Sequence, residues 1–301
     1  MGHSHDHGTE NMGDGKLIAA VGVNVLLTAA QVIGGVLSGS LSLIADALHN
    51  LSDAASLGIA LFARKIGRKP ADAHKTFGYK RAEVIAALIN LTTLVIIGLY
   101  LIYEALWRFA EPEAIEGWTV VIVAGIALAV DVVTAVLTYT MSKNSMNIKA
   151  AFLHNVSDAL ASVGVIIAGT LILLYGWYWV DTLLTLIIAG YVLWQGFTMI
   201  PKTIHLLMEG TPEHLSIQEV ITAMEAINGV SNVHHVHVWQ LDEHHNALEA
   251  HVVPNDDEPA HIEKVKTALK AMLSEQFDVG HSTLEFEHAQ LSDCDEMQGG
   301  G

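Results

Sequence analysis

The chain has 301 residues, 51% of them hydrophobic and 16% charged, with a formal net charge of −17. Its single cysteine, Cys294, excludes an intrachain disulfide and a thiolate zinc cluster. From Glu209 onward 18 acidic residues face only Lys264, Lys266 and Lys270, a balance that excludes nucleic-acid binding and favours cations.

Residues 1–15 are polar and Gly-rich, with His3, His5 and His7 in the run His-Ser-His-Asp-His. They read as a disordered tail of weak metal affinity. Between Lys16 and Lys202 lie six apolar segments: Leu17–Leu37, Leu41–Ala63, Ala82–Trp107, Trp118–Met141, Ala150–Tyr175 and Trp179–Ile200. Each is long enough, as a helix, to cross a hydrocarbon core of about 30 Å. The first lacks the basic n-region and small-residue cleavage site of a signal peptide.

Loop charges predict the orientation. Arg64, Lys65, Arg68, Lys69, Lys75, Lys80 and Arg81 follow segment two, Lys143 and Lys149 follow segment four, and Lys202 follows segment six. The loop after segment three is acidic, with Glu111, Glu113 and Glu116. The positive-inside rule then makes both termini cytoplasmic. Trp107, Trp118, Trp177 and Trp179 stand at segment ends, as interfacial anchors do.

Segments two and five share a motif. Leu48-His-Asn-Leu-Ser-Asp-Ala54 returns as Leu153-His-Asn-Val-Ser-Asp-Ala159. His49 with Asp53, and His154 with Asp158, stand at i, i+4, so each pair shares one helix face. Two such helices face to face offer two imidazole nitrogens and two carboxylates, a tetrahedral zinc set. Ionisable groups at membrane depth cost about 2.5–3.5 kcal/mol each, so they mark function. All four must be deprotonated to bind metal, which couples metal binding to proton release. Asp46, one heptad before Asp53, reads as a carboxylate supporting an imidazole or a proton path. Asp131, Asn24 and Gln31 are expected to line the same polar interior. The loop holding Asp72 and His74 is too basic for a good cation site and reads as a membrane-surface loop.

Beyond Lys202 the pattern is that of a small soluble domain, residues 209–290, before a disordered 291–301. Ser216 and Glu219 suggest a capping box for a helix through Ala226, stopped by Asn228-Gly229. Strands follow at Val233–Leu241 and Ala247–Val253, then a helix from Pro259 to Phe277 and a strand at Ser282–Glu287. This α-β-β-α-β order is a compact α+β unit. It holds ten histidines. His234, His235 and His237 open the first strand, His251 lies on the second, and His281, Glu285 and Glu287 flank the last, so neighbouring strands can assemble a metal site. Regular alternation puts His235 and His237 on one face and His234 on the other.

These motifs, with Ser38-Gly-Ser-Leu-Ser-Leu-Ile-Ala-Asp-Ala-Leu-His-Asn-Leu-Ser-Asp53, Thr76-Phe-Gly-Tyr-Lys-Arg-Ala-Glu83 and Leu207-Met-Glu-Gly-Thr-Pro212, resemble the cation diffusion facilitators. The likeness is to zinc exporters of the bacterial resistance type, and it spans nearly the whole chain. It implies a six-helix transmembrane bundle over residues 16–208, followed by a metallochaperone-like α+β cytoplasmic domain. It further implies a homodimer in a bacterial inner membrane and Zn²⁺/proton antiport. By position it carries the transport site onto His49, Asp53, His154 and Asp158. It carries an interfacial C-terminal site onto His234, His251, Glu285 and Glu287, with His261 as a neighbour. In the loop the likeness departs, since Tyr79 stands where metal-binding members carry a histidine. The family's His-rich loop is also missing, leaving only Ser142–Lys149 between segments four and five.

The expected function is therefore export of Zn²⁺ against protons across a lipid bilayer. An intramembrane metalloenzyme would need an open coordination position and a general base, and there is no His-Glu-x-x-His motif. A membrane-anchored metal sensor or buffer is the alternative, but it would not need its best ligands inside the membrane.

Overall fold

The computed structural model describes residues 14–67, 71–141, 146–242 and 245–288. Within its elements, the side chains at 14–21, 53, 56–57, 59–65, 67, 137–141, 146–154 and 242 fall outside the description. Of the expected tails, residues 1–13 and all of 291–301 lie outside the described residues, whereas Asp14 and Gly15, expected in the first tail, open a helix. The chain divides into two compact units, one running to Phe62 and from Ala86 to Ile200, the other from Ala63 to Ile85 and from Pro201 on.

Six long helices account for the first unit and supply the ends that enter the second: α1 (Asp14–Ser38), α2 (Leu41–Gly67), α3 (Arg81–Ala110), α4 (Gly117–Met141), α5 (Met146–Tyr175) and α6 (Trp179–Leu207). Every expected apolar segment falls inside one of them. The stretches 81–110, 117–136, 155–175 and 179–207 are long and apolar enough to cross a membrane, and Gly22–Ser38 is a shorter apolar helix. Asp46, His49, Asn50 and Asp53 make α2 the most polar of the six. The helices pack through Leu43, Leu101, Val120, Val165 and Val192, all buried. Leu26, Ile89, Ile96, Leu160 and Trp194 are each more than 60% exposed. Apolar surface on that scale suits hydrocarbon rather than water.

α6 runs past the expected end at Ile200 and through Pro201 for six more residues. Proline at this position removes one backbone donor and crowds the carbonyl of Phe197, four residues earlier, yet the helix continues past it. Beyond it, Glu209 takes a positive φ of 60°. Gly210 follows because any Cβ there would strike the His205 ring at 2.3 Å. His205 Nε2 in turn lies 2.8 Å from the Thr211 carbonyl. Close backbone approach therefore accounts for the glycine of the Glu-Gly-Thr-Pro signature.

The C-terminal domain has α7 (Ile217–Glu225), β1 (Val230–Asp242), β2 (His245–Pro254), α8 (Pro259–Phe277) and β3 (Val279–Phe286). The sheet order is β1-β2-β3, with β1 antiparallel and β3 parallel to β2. Val220, Met224, Val265 and Leu269 of the two helices bury themselves against Val238, Leu248, Ala250 and Val252 of the sheet. One face is thus core, and Glu249 and His251 point away from it. Two local expectations change. Ser216 does occupy the N-cap of α7, but its side chain makes no capping hydrogen bond. And β1 is not regularly pleated: its register shifts between His234, opposite His251, and His237, opposite Glu249. His235 sits in that bulge at φ 50°. The extra residue brings His234 and His237 to the same face, which alternation alone would separate.

Candidate metal centres

α2 and α5 meet through the repeated motif. His49 Nε2 lies 3.1 Å from Asp158 Oδ1, and both residues are 8% exposed. The Tyr191 ring of α6 meets the imidazole edge-on at 6.1 Å. Asp53 and His154 occupy the next turns of the same two helices, and their side chains lie outside the description. Of the four residues expected to hold the transported ion, the structure brings His49 and Asp158 together.

Polar groups on α1 and α4 surround this pair. Gln31 donates from Nε2 to Asp46 Oδ2 at 2.6 Å and accepts from Asn50 Nδ2 at 2.9 Å. Asp46 thus takes an amide from α1 and ties α1 to α2. On α4, Asp131 Oδ2 accepts from the Ser162 hydroxyl of α5 at 2.9 Å.

A further buried carboxylate, absent from the sequence expectation, holds the start of α2. Asp181 of α6 accepts from the backbone N–H of Leu41 and Ser42 at 2.9 and 3.3 Å. It also accepts from the hydroxyls of Ser40 and Ser42, each at 2.6 Å. A carboxylate on the free N–H groups of a helix start satisfies them and suits the helix dipole. Asp181 is 1% exposed, and it fixes the helix that carries His49.

In the C-terminal domain, ligand atoms of His234, His251 and Glu287 all lie within 4.8 Å of one another. Glu287 reaches His234 Nε2 at 3.1 Å and His251 Nδ1 at 2.6 Å. The first contact lacks hydrogen-bond geometry, so both ring nitrogens of buried His234 are without a hydrogen-bond partner. A buried imidazole costs free energy in that state, and a metal ion at the cluster would relieve it. Glu285 stands at the margin, 3.5 Å from His251 Nε2. His261 is not part of the converging set; its Nε2 lies over Gly229, where a Cβ would meet it at 2.6 Å. A second group, His235, His237 and Glu249, also converges within 4.8 Å. Glu249 was missed at the sequence level, although a carboxylate two residues before His251 shares its strand face.

In the loop before α3, Asp72 is occupied by its own turn. Oδ1 accepts from the N–H of His74 and Lys75 at 2.7 and 2.8 Å, and Oδ2 accepts from the Tyr79 hydroxyl at 2.6 Å. The Tyr79 phenol, then the two amides, hold the carboxyl below its usual range, and the Asp72 contact raises the phenol.

Comparison with known proteins agrees with this architecture. The family model for the cation efflux transmembrane domain matches residues 17–208, and that for the cation efflux protein cytoplasmic domain matches 212–289. The chain belongs to the cation efflux family. It is 38% identical to a cadmium, cobalt and zinc/H(+)-K(+) antiporter of Bacillus velezensis, over 96% of this chain and 93% of that one. It is 37% identical to the metal cation efflux system protein CzcD of Cupriavidus metallidurans, over 99% and 93%. With the zinc transporter ZitB of Escherichia coli it shares 34% identity over 96% and 93%. This is a family of multi-pass membrane transporters, not of enzymes.

Proposed function

We propose that this protein exports Zn²⁺ from the cytoplasm in exchange for protons, through a site formed by His49, Asp53, His154 and Asp158. The observation that carries the reading is the buried His49–Asp158 approach between the two helices that share the repeated motif. Ion binding requires neutral imidazoles and ionised carboxylates, so protons arriving from the far side compete for the same atoms and release the metal. Both termini lie in the cytoplasm, as the basic loops argue. The protein works as a homodimer in a bacterial inner membrane. His234, His251 and Glu287, with Glu285 at the margin, bind a regulatory zinc ion in the cytoplasmic domain. The names of the relatives make Cd²⁺ and Co²⁺ the further cargoes to measure.

Everted vesicles test this directly. An imposed pH gradient, acidic inside, is expected to drive zinc uptake with wild-type protein and not with Asp158→Ala. Zinc binding without gradient-driven uptake would instead indicate a membrane-anchored sensor or buffer.

A further inference from the structure

We propose that His235, His237 and Glu249 form a second divalent-metal site on the β1–β2 face, separate from the His234–His251–Glu287 cluster. His237 and Glu249 are direct cross-strand partners, so their side chains rise from the same face side by side. His235 joins them because of the bulge. Its φ of 50° is a conformation that costs a non-glycine residue on the order of 1–2 kcal/mol, and it swings the imidazole beside its neighbours. The His235 and His237 rings then lie 4.7 Å apart and nearly perpendicular at 84°, separate planes aimed at common space rather than a stack.

The three ligand atoms span no more than 4.8 Å. Ligands on one tetrahedral zinc ion, each at about 2.1 Å, lie about 3.4 Å apart, so modest rotations close the set. Exposed His237 and Glu249 have the freedom to make them. Two imidazoles and one carboxylate leave the fourth position to water, and imidazole nitrogen favours zinc-class ions over calcium or magnesium. The net charge of −15 in this part of the chain concentrates cations at the face. His235 also lies 4.7 Å from the His251 ring, so the two sites are immediate neighbours. The more exposed site fills second, at higher zinc concentration, because its ligands remain hydrated until the ion arrives.

The test is the number of zinc ions bound per protomer, by equilibrium dialysis of the full-length protein in detergent. His237→Ala and Glu249→Gln are each expected to lose one equivalent from the weak end of the isotherm. Both positions are exposed, and Glu249→Gln keeps the side-chain shape, so the fold is not at risk. His234→Ala, run beside them, reports on the regulatory cluster and should lose the tighter equivalent. Loss in His234→Ala with a wild-type count in His237→Ala and Glu249→Gln overturns this proposal and leaves the regulatory cluster standing. Loss only in the latter two overturns the cluster and leaves this site. Equal counts in all four proteins up to the onset of precipitation sink both.

Discussion

In the proposed transport site, the side chain at His49 would decide how the ion is held. Imidazole gives a single nitrogen and suits compact four-coordinate zinc at about 2.0–2.2 Å. A carboxylate in its place can bind through two oxygens and makes the empty site more negative, which favours larger cadmium. His49→Asp is therefore expected to keep part of its zinc flux and to raise the cadmium-to-zinc flux ratio severalfold. An unchanged ratio in an active variant would assign selectivity to helix packing instead. Asp158→Ala removes the contact to His49 altogether and should reduce zinc flux to background, while the purified protein keeps its helical content. Asp72 plays a different part, since its oxygens are spent on Tyr79, His74 and Lys75. Its carboxyl is held below the usual value, so this turn's stabilisation is complete above about pH 4 and is lost as pH falls through the folded value. Tyr79 is raised, so its share is complete below about pH 10 and is lost as pH rises through its folded value. In Asp72→Ala one phenol should titrate lower than in wild type, as read by ultraviolet absorbance in alkali.

Helix ends and strand irregularities set what these side chains can reach. Asp181 accepts four hydrogen bonds at the start of α2, and Asp181→Leu would strand those donors in a buried setting. Each unsatisfied buried donor costs about 1–3 kcal/mol, so a large fall in melting temperature is expected in detergent. Asp181→Asn keeps one acceptor oxygen and should fall less. A melting temperature equal to wild type in the leucine variant would remove Asp181 from this role. In β1 the conformation of His235 suits glycine, so His235→Gly should hold or raise the stability of the cytoplasmic domain by up to about 1 kcal/mol. The six helices and the pairing of α2 with α5 were legible because long apolar runs and an i, i+4 repeat have few other solutions. Asp181 was not, because an acid in the first turn of α6 already suits its own helix, and nothing local reveals that it caps another. Nor was the shared face of His234 and His237, since alternation presumes a regular pleat and a bulge leaves no composition signal. Glu249 became a candidate ligand only once the register set it opposite His237.

Across the whole molecule, charge is divided between the two halves of the chain. From Glu209 onward the excess is −15, and the remainder of the chain is near neutral. In a dimer, two copies of so acidic a domain repel wherever their surfaces approach within about 8–10 Å, the screening length at physiological salt. In the proposed sites, each Zn²⁺ ion held by His234, His251 and Glu287 would cancel two negative charges, and an ion on the outer face would cancel two more. Zinc binding therefore lowers the cost of bringing the domains together, and cytosolic metal would favour the closely paired arrangement. Spin labels on exposed α8 positions of each copy, such as Lys270, can follow this by pulsed distance measurement. The expected result is a distance distribution that shortens and narrows as zinc is added, and that shortens less in His234→Ala. Raising the salt concentration without zinc should mimic part of the change, because screening replaces neutralisation. A distribution unmoved by zinc at every concentration below precipitation would mean that the negative charge of this domain serves only to gather cations, not to regulate the transporter.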